Sequence, residues 1–340
     1  MHRSELTIDL AAVRRNVRTL LRALEGAALW AVVKADGYGH GAVDVSRASL
    51  DAGADALCVA TVTEALELRR EFPSTRILCL GPLQSSEVAA ARDANVEVAV
   101  GDGKIPEGLR VHLKLDTGMG RYGLAELRAP TRDVVGLMSH LATAETDASF
   151  AREQTARFAE LVQPYRGTLE CHIANSAAAL RLPEARFDAA RCGIAVYGLS
   201  PFMSDPADDD LEPVLGWRSY LAQVKLLQAG ESTGYGRRFV AERPTWIGLV
   251  PVGYADGFRR DLTGTEVRVD GELRRVVGAI SMDSFAVELD RELPAGTPVI
   301  LIGDGVRAEA HGKVAGTINY ELVTGINSDP RRAQRQVVGA

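Results

Sequence analysis

The sequence predicts an α/β protein in two parts, a (β/α)8 TIM-type barrel over residues 11–210 followed by a mainly-β domain over 211–340. Three observations predict it. Short apolar runs alternate with segments of helical period through the first two hundred residues, the mark of parallel strands joined by right-handed crossovers. Eight such strands fit in that length, which is the number that closes a barrel. Past the acidic stretch Asp205-Pro206-Ala207-Asp208-Asp209-Asp210, the segments become short, β-rich and separated by Gly, Asp or Pro, as in an all-β module.

Thr7-Ile8-Asp9 is a short extended segment, and Asp9 can cap a helix in which Leu10, Val13, Val17, Leu20, Leu21 and Leu24 recur at helical spacing. Leu29 to Val33 is wholly apolar and partly β-branched, a strand buried on both faces. The alternation continues with a helix over 42–52, a strand over 56–60, a helix over 63–71, a strand over 77–80, a helix over 85–94 and a strand over 96–100. Later strands are expected at 111–115, 134–138, 169–173 and, as the eighth, around Ile194 to Val196, with Arg191-Cys192-Gly193-Ile194 on it. The connections Gly101 to Leu109 and Leu124 to Asp133 are too short for a full helix. In the second part, strands are expected at 219–227, 245–252, 266–269, 275–280, 285–289 and 298–302.

The chain is 46% apolar and 25% charged, so it can bury an ordinary globular core. Its net charge of -6, with no basic run carrying interleaved aromatics, argues against nucleic acid and leaves small metabolites as the expected ligands. Cys58, Cys79, Cys171 and Cys192 are too far apart in sequence to spell a paired-cysteine metal site or a redox pair, and no metal is expected. Charges at the N-terminus and the lack of any apolar stretch of spanning length favour the cytoplasm and no membrane association.

The stretch Lys34-Ala35-Asp36-Gly37-Tyr38-Gly39-His40-Gly41 follows the first buried strand. A lysine desolvated there has its ammonium disfavoured, as an amine that attacks a carbonyl carbon requires. In a barrel of this kind reactive groups gather at the carboxyl ends of strands. Lys34, Lys114, Arg121, His140 and Asn175-Ser176 fall at or just beyond such ends, and Arg191-Cys192-Gly193-Ile194 lies on the eighth strand, so the polar residues of interest collect at one rim. Asn175-Ser176 opens a helix, where backbone donors and a hydroxyl can hold a phosphate, and Gly193 lets the same anion approach the backbone.

Together with four further runs, the lysine motif resembles the alanine racemase family of fold-type III pyridoxal-phosphate enzymes. The other runs are His112-Leu113-Lys114-Leu115-Asp116-Thr117-Gly118-Met119-Gly120-Arg121, Arg191-Cys192-Gly193-Ile194-Ala195-Val196-Tyr197-Gly198, Val252-Gly253-Tyr254-Ala255-Asp256-Gly257 and Ile280-Ser281-Met282-Asp283. A late segment, Thr317-Ile318-Asn319-Tyr320-Glu321, also matches, and the resemblance runs in order to about Arg332.

The resemblance implies that residues 1–10 join the β domain as a strand and that the enzyme is a homodimer with shared sites. It implies pyridoxal 5'-phosphate held by Lys34, Tyr38, His140, Asn175, Ser176, Arg191, Gly193, Ile194 and Tyr320. Lys34 and Tyr254, the latter from the partner subunit, would be the two catalytic acid/bases, with a relay from Tyr254 through His140 to Arg191. Arg121, Met282 and Asp283 would hold the substrate, and Lys114 would carry a carbamate in many members. The implied reaction interconverts L- and D-alanine and so supplies D-alanine for peptidoglycan. Serine or broad-specificity racemases, a non-catalytic pyridoxal-phosphate carrier and barrel decarboxylases are the alternatives. Ala279 departs from the family's usual arginine.

Overall fold

A computed structural model describes residues 2–127 and 129–340. Met1, assigned above to the β domain, and Arg128, within the second short connection, lie outside the described residues. The chain divides into two compact units. One comprises Ala12–Phe202 with Pro206–Glu212, and the other Met1–Ala11, Met203–Asp205 and Pro213–Ala340.

The N-terminal strand β1 (Glu5–Asp9) belongs to the second unit. The first unit closes a parallel barrel from β2 (Ala28–Val32), β3 (Ala56–Val59), β4 (Arg76–Cys79), β5 (Glu97–Val100), β6 (Val111–Lys114), β7 (Val134–Met138), β8 (Glu170–His172) and β9 (Ala189–Cys192). These strands are buried along nearly their whole length, which is why they read as mainly apolar runs, broken in β4, β5, β6, β8 and β9 by ionisable residues. Asp9 caps the first helix, Leu10–Leu24, by accepting from the Ala11 N–H at 2.8 Å. Among the described residues of 101–110 and 115–133 there is no helix, so the barrel is uncovered by helices at those two connections. The eighth strand is displaced from the expected position. It is Ala189–Cys192, while Ile194–Tyr197 forms a 3-10 turn, because Gly193 adopts φ -109, ψ -90 and turns the chain out of the extended path.

The second unit is a sheet built on β1, β10 (Leu215–Tyr220), β11 (Gln223–Leu227), β14 (Thr245–Val250), β15 (Glu266–Val269), β16 (Glu272–Val277), β17 (Phe285–Leu289), β18 (Pro298–Ile302) and β19 (Gln334–Val338). A two-residue pair, β12 (Ser232–Thr233) with β13 (Phe239–Val240), stands apart. The expected strand at 219–227 is two strands, β10 and β11. β1 lies between β10, antiparallel, and β19, parallel. Two helices, Ala308–Ala315 and Asn319–Thr324, and the edge strand β19 were not among the expected elements.

Candidate active site

Lys34 begins the turn Lys34–Tyr38 just beyond β2. Ala35, Asp36, Gly37, Tyr38 and Gly39 all have positive φ, between 49° and 80°, so the chain makes a left-handed turn. Three of these residues are not glycine, and each such position costs about 1 to 3 kcal/mol. Neighbouring groups hold the turn: Gly37 N–H donates to Val33 O at 2.9 Å, Ala42 N–H to Asp36 Oδ1 at 2.8 Å, and Ala35 N–H to Glu64 Oε1 at 2.7 Å. The Glu64 carboxylate also receives Ala60 and Thr61 N–H, tying the lysine turn to the next strand-to-helix loop.

Burial lowers the pKa of the Lys34 amine, and the Arg121 cation lowers it further, against an opposing pull from Glu64. Lys114, at the end of β6, is lowered to about 8 by burial and by Arg121 and Arg191. Its ammonium lies 5.1 Å from the centre of the Tyr122 ring. His140 is pushed down to about 3 by burial and by Arg191, Arg121, Lys114 and Lys34, so it is neutral. Lys34, Lys114, Arg121, His140 and Arg191 thus lie within electrostatic reach of one another. Arg121 makes neither a hydrogen bond nor an ion pair among the described residues, which leaves its guanidinium available to an anion.

Just beyond β9, which pairs with β2, Ser176 Oγ accepts from Gly193 N–H at 3.0 Å and from Ala195 N–H at 3.4 Å. A Cβ on Gly193 would sit 2.4 Å from Tyr38 Oη. Both hydroxyls therefore lie against this glycine, and only a residue without a side chain admits them. Asn175 Oδ1 accepts from Ala178 N–H at 3.0 Å, so its side chain caps the helix that Ser176 begins. Tyr38 packs its ring on Tyr197, centroids 4.9 Å apart, and Tyr197 Oη donates to Val32 O at 2.9 Å, beside the lysine turn. Arg191 is buried; its Nη2 donates to Ser139 O at 2.7 Å and lies 3.4 Å from His140 Nδ1, while Nη1 is 2.5 Å from His172 Nδ1.

Tyr254, Met282, Asp283 and Tyr320 lie in the other unit. Tyr254 N–H donates to Ser281 O and Ala255 N–H to Met282 O, both at 3.0 Å, so the tyrosine and methionine loops are locked together. A Cβ on Gly253 would fall 2.3 Å from Ser281 O, so this contact requires glycine. The loop is anchored by the buried Asp256 carboxylate. It receives Arg3 Nη1 and Nη2 at 2.9 Å each, Arg332 Nε at 2.8 Å and Gly253 N–H at 2.9 Å. The Asp283 carboxylate is paired with Arg332 at 2.6 Å. Tyr254 and Met282 are exposed, 43% and 53%.

The family models of the alanine racemase N-terminal and C-terminal domains match residues 8–201 and 214–335. The chain belongs to the alanine racemase family. Alanine racemase 1 of Bacillus subtilis is 42% identical over 353 residues, covering 94% of this chain and 90% of its own length. The alanine racemase of Streptomyces coelicolor is also 42% identical, over 96% of this chain and 94% of its own. Its solved structure superposes with a TM-score of 0.90, covering 99% of this chain and 98% of that one, at 39% identity. The biosynthetic alanine racemase of Pseudomonas aeruginosa gives a TM-score of 0.92 at 34% identity, covering 99% of both chains. Family membership makes the chain a racemase, an isomerase, and does not favour the serine-racemase, carrier or decarboxylase alternatives. Among the described residues no helix is long and apolar enough to cross a membrane, and no cluster of His, Cys, Asp and Glu could hold a metal.

Sequence reasoning gave no role to His112, His172, Glu97, Glu64 or Asp256. Three of them stood inside or beside motifs, His112 two residues before Lys114, His172 three before Asn175, and Asp256 within the Tyr254 run. Glu97 and Glu64 carried no local signal.

Proposed function

We propose that this enzyme interconverts L- and D-alanine with pyridoxal 5'-phosphate, as a cytoplasmic homodimer whose product supplies peptidoglycan. The residues present fit that cofactor. The hydroxyls of Tyr38 and Ser176 converge on Gly193, a cradle that a Cβ would fill, and with the Gly193 and Ile194 backbone they would form a donor set for a phosphate, to which the family pattern adds Tyr320. Asn175 supports this cradle by capping the helix behind Ser176. Bound there, the cofactor supplies an electrophilic aldehyde carbon and a ring that takes up the electron pair released at the substrate's α-carbon.

Lys34 would hold the cofactor through its aldehyde carbon, and its lowered pKa favours the neutral amine that this role requires. With alanine in the site, Lys34 Nζ would move a proton at the α-carbon on one face. Tyr254 Oη of a second copy moves one on the other, so inversion needs no rotation of the substrate. Arg191 cannot serve as an acid at neutral pH, so as the partner of the pyridine nitrogen it would leave that nitrogen unprotonated and moderate the ring as an electron sink. Neutral His140 lies 3.4 Å from Arg191 and would connect the phenol of the second copy to that guanidinium. Arg121 and the Met282 N–H hold the substrate carboxylate, and Asp283 steadies the loop through Arg332. Lys114 carries a carbamate: a pKa of about 8 leaves an appreciable share as the neutral amine that captures carbon dioxide, and the resulting anion pairs with Arg121.

The observation that carries this reading is the left-handed turn that sets Lys34 just beyond β2 and brings Tyr38 Oη against Gly193, with the Lys34 amine held below its usual pKa by burial and by Arg121. The test is racemisation by purified protein across a panel of L-amino acids, with the cofactor absorbance recorded alongside. L-Alanine is expected to be converted fastest. Faster conversion of serine, or cofactor binding without any conversion, overturns the assignment.

A further inference from the structure

A line of ionisable side chains crosses the barrel interior and ends at Arg191. It begins with Glu97, the first residue of β5, at the amino ends of the strands. Glu97 Oε2 is 2.9 Å from His112 Nε2, His112 Nδ1 is 2.9 Å from His172 Nε2, and His172 Nδ1 is 2.5 Å from Arg191 Nη1. All four residues are buried, on β5, β6, β8 and β9.

The proton inventory gives this line a direction. A guanidinium only donates, so His172 Nδ1 must accept from Arg191. A neutral His172 then carries its proton on Nε2 and donates to His112 Nδ1, and a neutral His112 carries its proton on Nε2 and donates to Glu97. Burial pushes both imidazoles down, so they are neutral, while His112 and Arg76 hold the Glu97 carboxyl at about 2. Every N–H thus points the same way, and hydrogen bonds so aligned polarise one another.

We infer that Glu97 is a positioning residue for Arg191: through His112 and His172 it fixes both ring tautomers and thereby the orientation of the guanidinium. The consequence for catalysis rests on the reading that Arg191 faces the pyridine nitrogen; the tautomers themselves do not. Service as a counter-ion to arginine does not account for the carboxylate. Arg76 donates to Glu97 at 2.8 Å, yet Glu170 on β8 already grips it with two bonds at 2.9 and 2.5 Å. Arg110, at 2.8 Å from Glu97, is 57% exposed and can be solvated by water. The other groups facing the line are the Trp30 ring on β2, 4.5 Å from the His172 ring, and Cys58 on β3, whose buried thiol is uncharged.

Without Glu97, the polar neighbour left at His112 Nε2 is Arg76 Nη2 at 3.4 Å, a donor. His112 would then accept there and carry its proton on Nδ1. His172 would follow and turn an N–H toward Arg191, where two donors oppose each other.

The test uses the full-length protein, isotope-labelled at the histidine ring nitrogens, with and without saturating pyridoxal phosphate. Long-range proton–nitrogen correlation near neutral pH is expected to show both His112 and His172 protonated on Nε2 alone. Any other tautomer at either ring in the unaltered protein overturns the proposal, whether or not a variant folds. In Glu97→Leu both rings are expected to change to the Nδ1 tautomer. The loaded variant should show a shifted cofactor absorbance and about a tenfold lower kcat with little change in KM. Glu97→Gln, which keeps an acceptor, should retain the tautomers and most of the activity. Unchanged tautomers in folded Glu97→Leu overturn the proposal. Changed tautomers with unaltered absorbance and kcat instead count against Arg191 facing the pyridine and leave the tautomer assignment standing.

Discussion

Gly193→Ala probes the phosphate cradle most sharply. The added Cβ would fall 2.4 Å from Tyr38 Oη and 3.0 Å from Cζ, where ordinary contacts between heavy atoms need roughly 3.5 to 4 Å. The phenol must therefore retreat by about 1 Å. It has nowhere to go: its ring lies against Tyr197, and its backbone is already held at φ 53° in the left-handed turn. Overpacking of this kind costs about 1 to 3 kcal/mol of stability. Withdrawing one hydroxyl from a charged phosphate costs a further ~1.5 to 3 kcal/mol of binding, or about 10- to 150-fold in cofactor affinity. Titration of the cofactor-free variant by absorbance measures the second quantity, and thermal unfolding of the same sample measures the first. Affinity within about twofold of the unaltered protein would refute the cradle.

Other expectations follow from the same geometry. Lys34→Ala should abolish both racemisation and the visible absorbance of the loaded enzyme near neutral pH, measured on dialysed samples; a surviving band would place the tether elsewhere. Lys114, lowered to about 8, binds fewer protons folded than unfolded between its folded and unfolded pKa values, so stability should rise with pH through that window. The gain is about 3 kcal/mol at most, read as a rise in Tm of cofactor-free, bicarbonate-free protein that is absent in Lys114→Met. Asp256→Ala strands the Gly253 N–H and both arginines that converge on it. It should cost about 1 to 3 kcal/mol in chemical denaturation and lower kcat through the loosened Tyr254 loop.

The barrel strands were legible because burial on both faces writes them as apolar runs between turn residues. The eighth was misread for the same reason. Ile194-Ala-Val-Tyr197 looks more like a strand than Ala189-Ala-Arg-Cys192, and only the dihedrals of Gly193 show that the apolar run is a 3-10 turn. β19, Gln-Arg-Gln-Val-Val, has no apolar run because it is an edge strand paired only with β1. Glycines announced a turn after Lys34. The positive φ of Ala35, Asp36 and Tyr38 had no such signal, since it is imposed by Glu64 and by the carboxylate of Asp36. Lys34, Arg121, Arg191 and Tyr254 stand out in the sequence because each sits in a local motif. The line from Glu97 to Arg191 draws one residue from each of four strands, and closure of the barrel alone brings them together.

Shared sites make the most direct test, because they require Lys34 of one copy and Tyr254 of another to act on one substrate molecule. Lys34→Ala and Tyr254→Ala proteins, each inactive, are unfolded together and refolded as mixed dimers. Each mixed dimer then holds one intact pair, so an equal mixture should recover about a quarter of the unaltered activity. Verified mixed dimers that remain inactive would contradict the account.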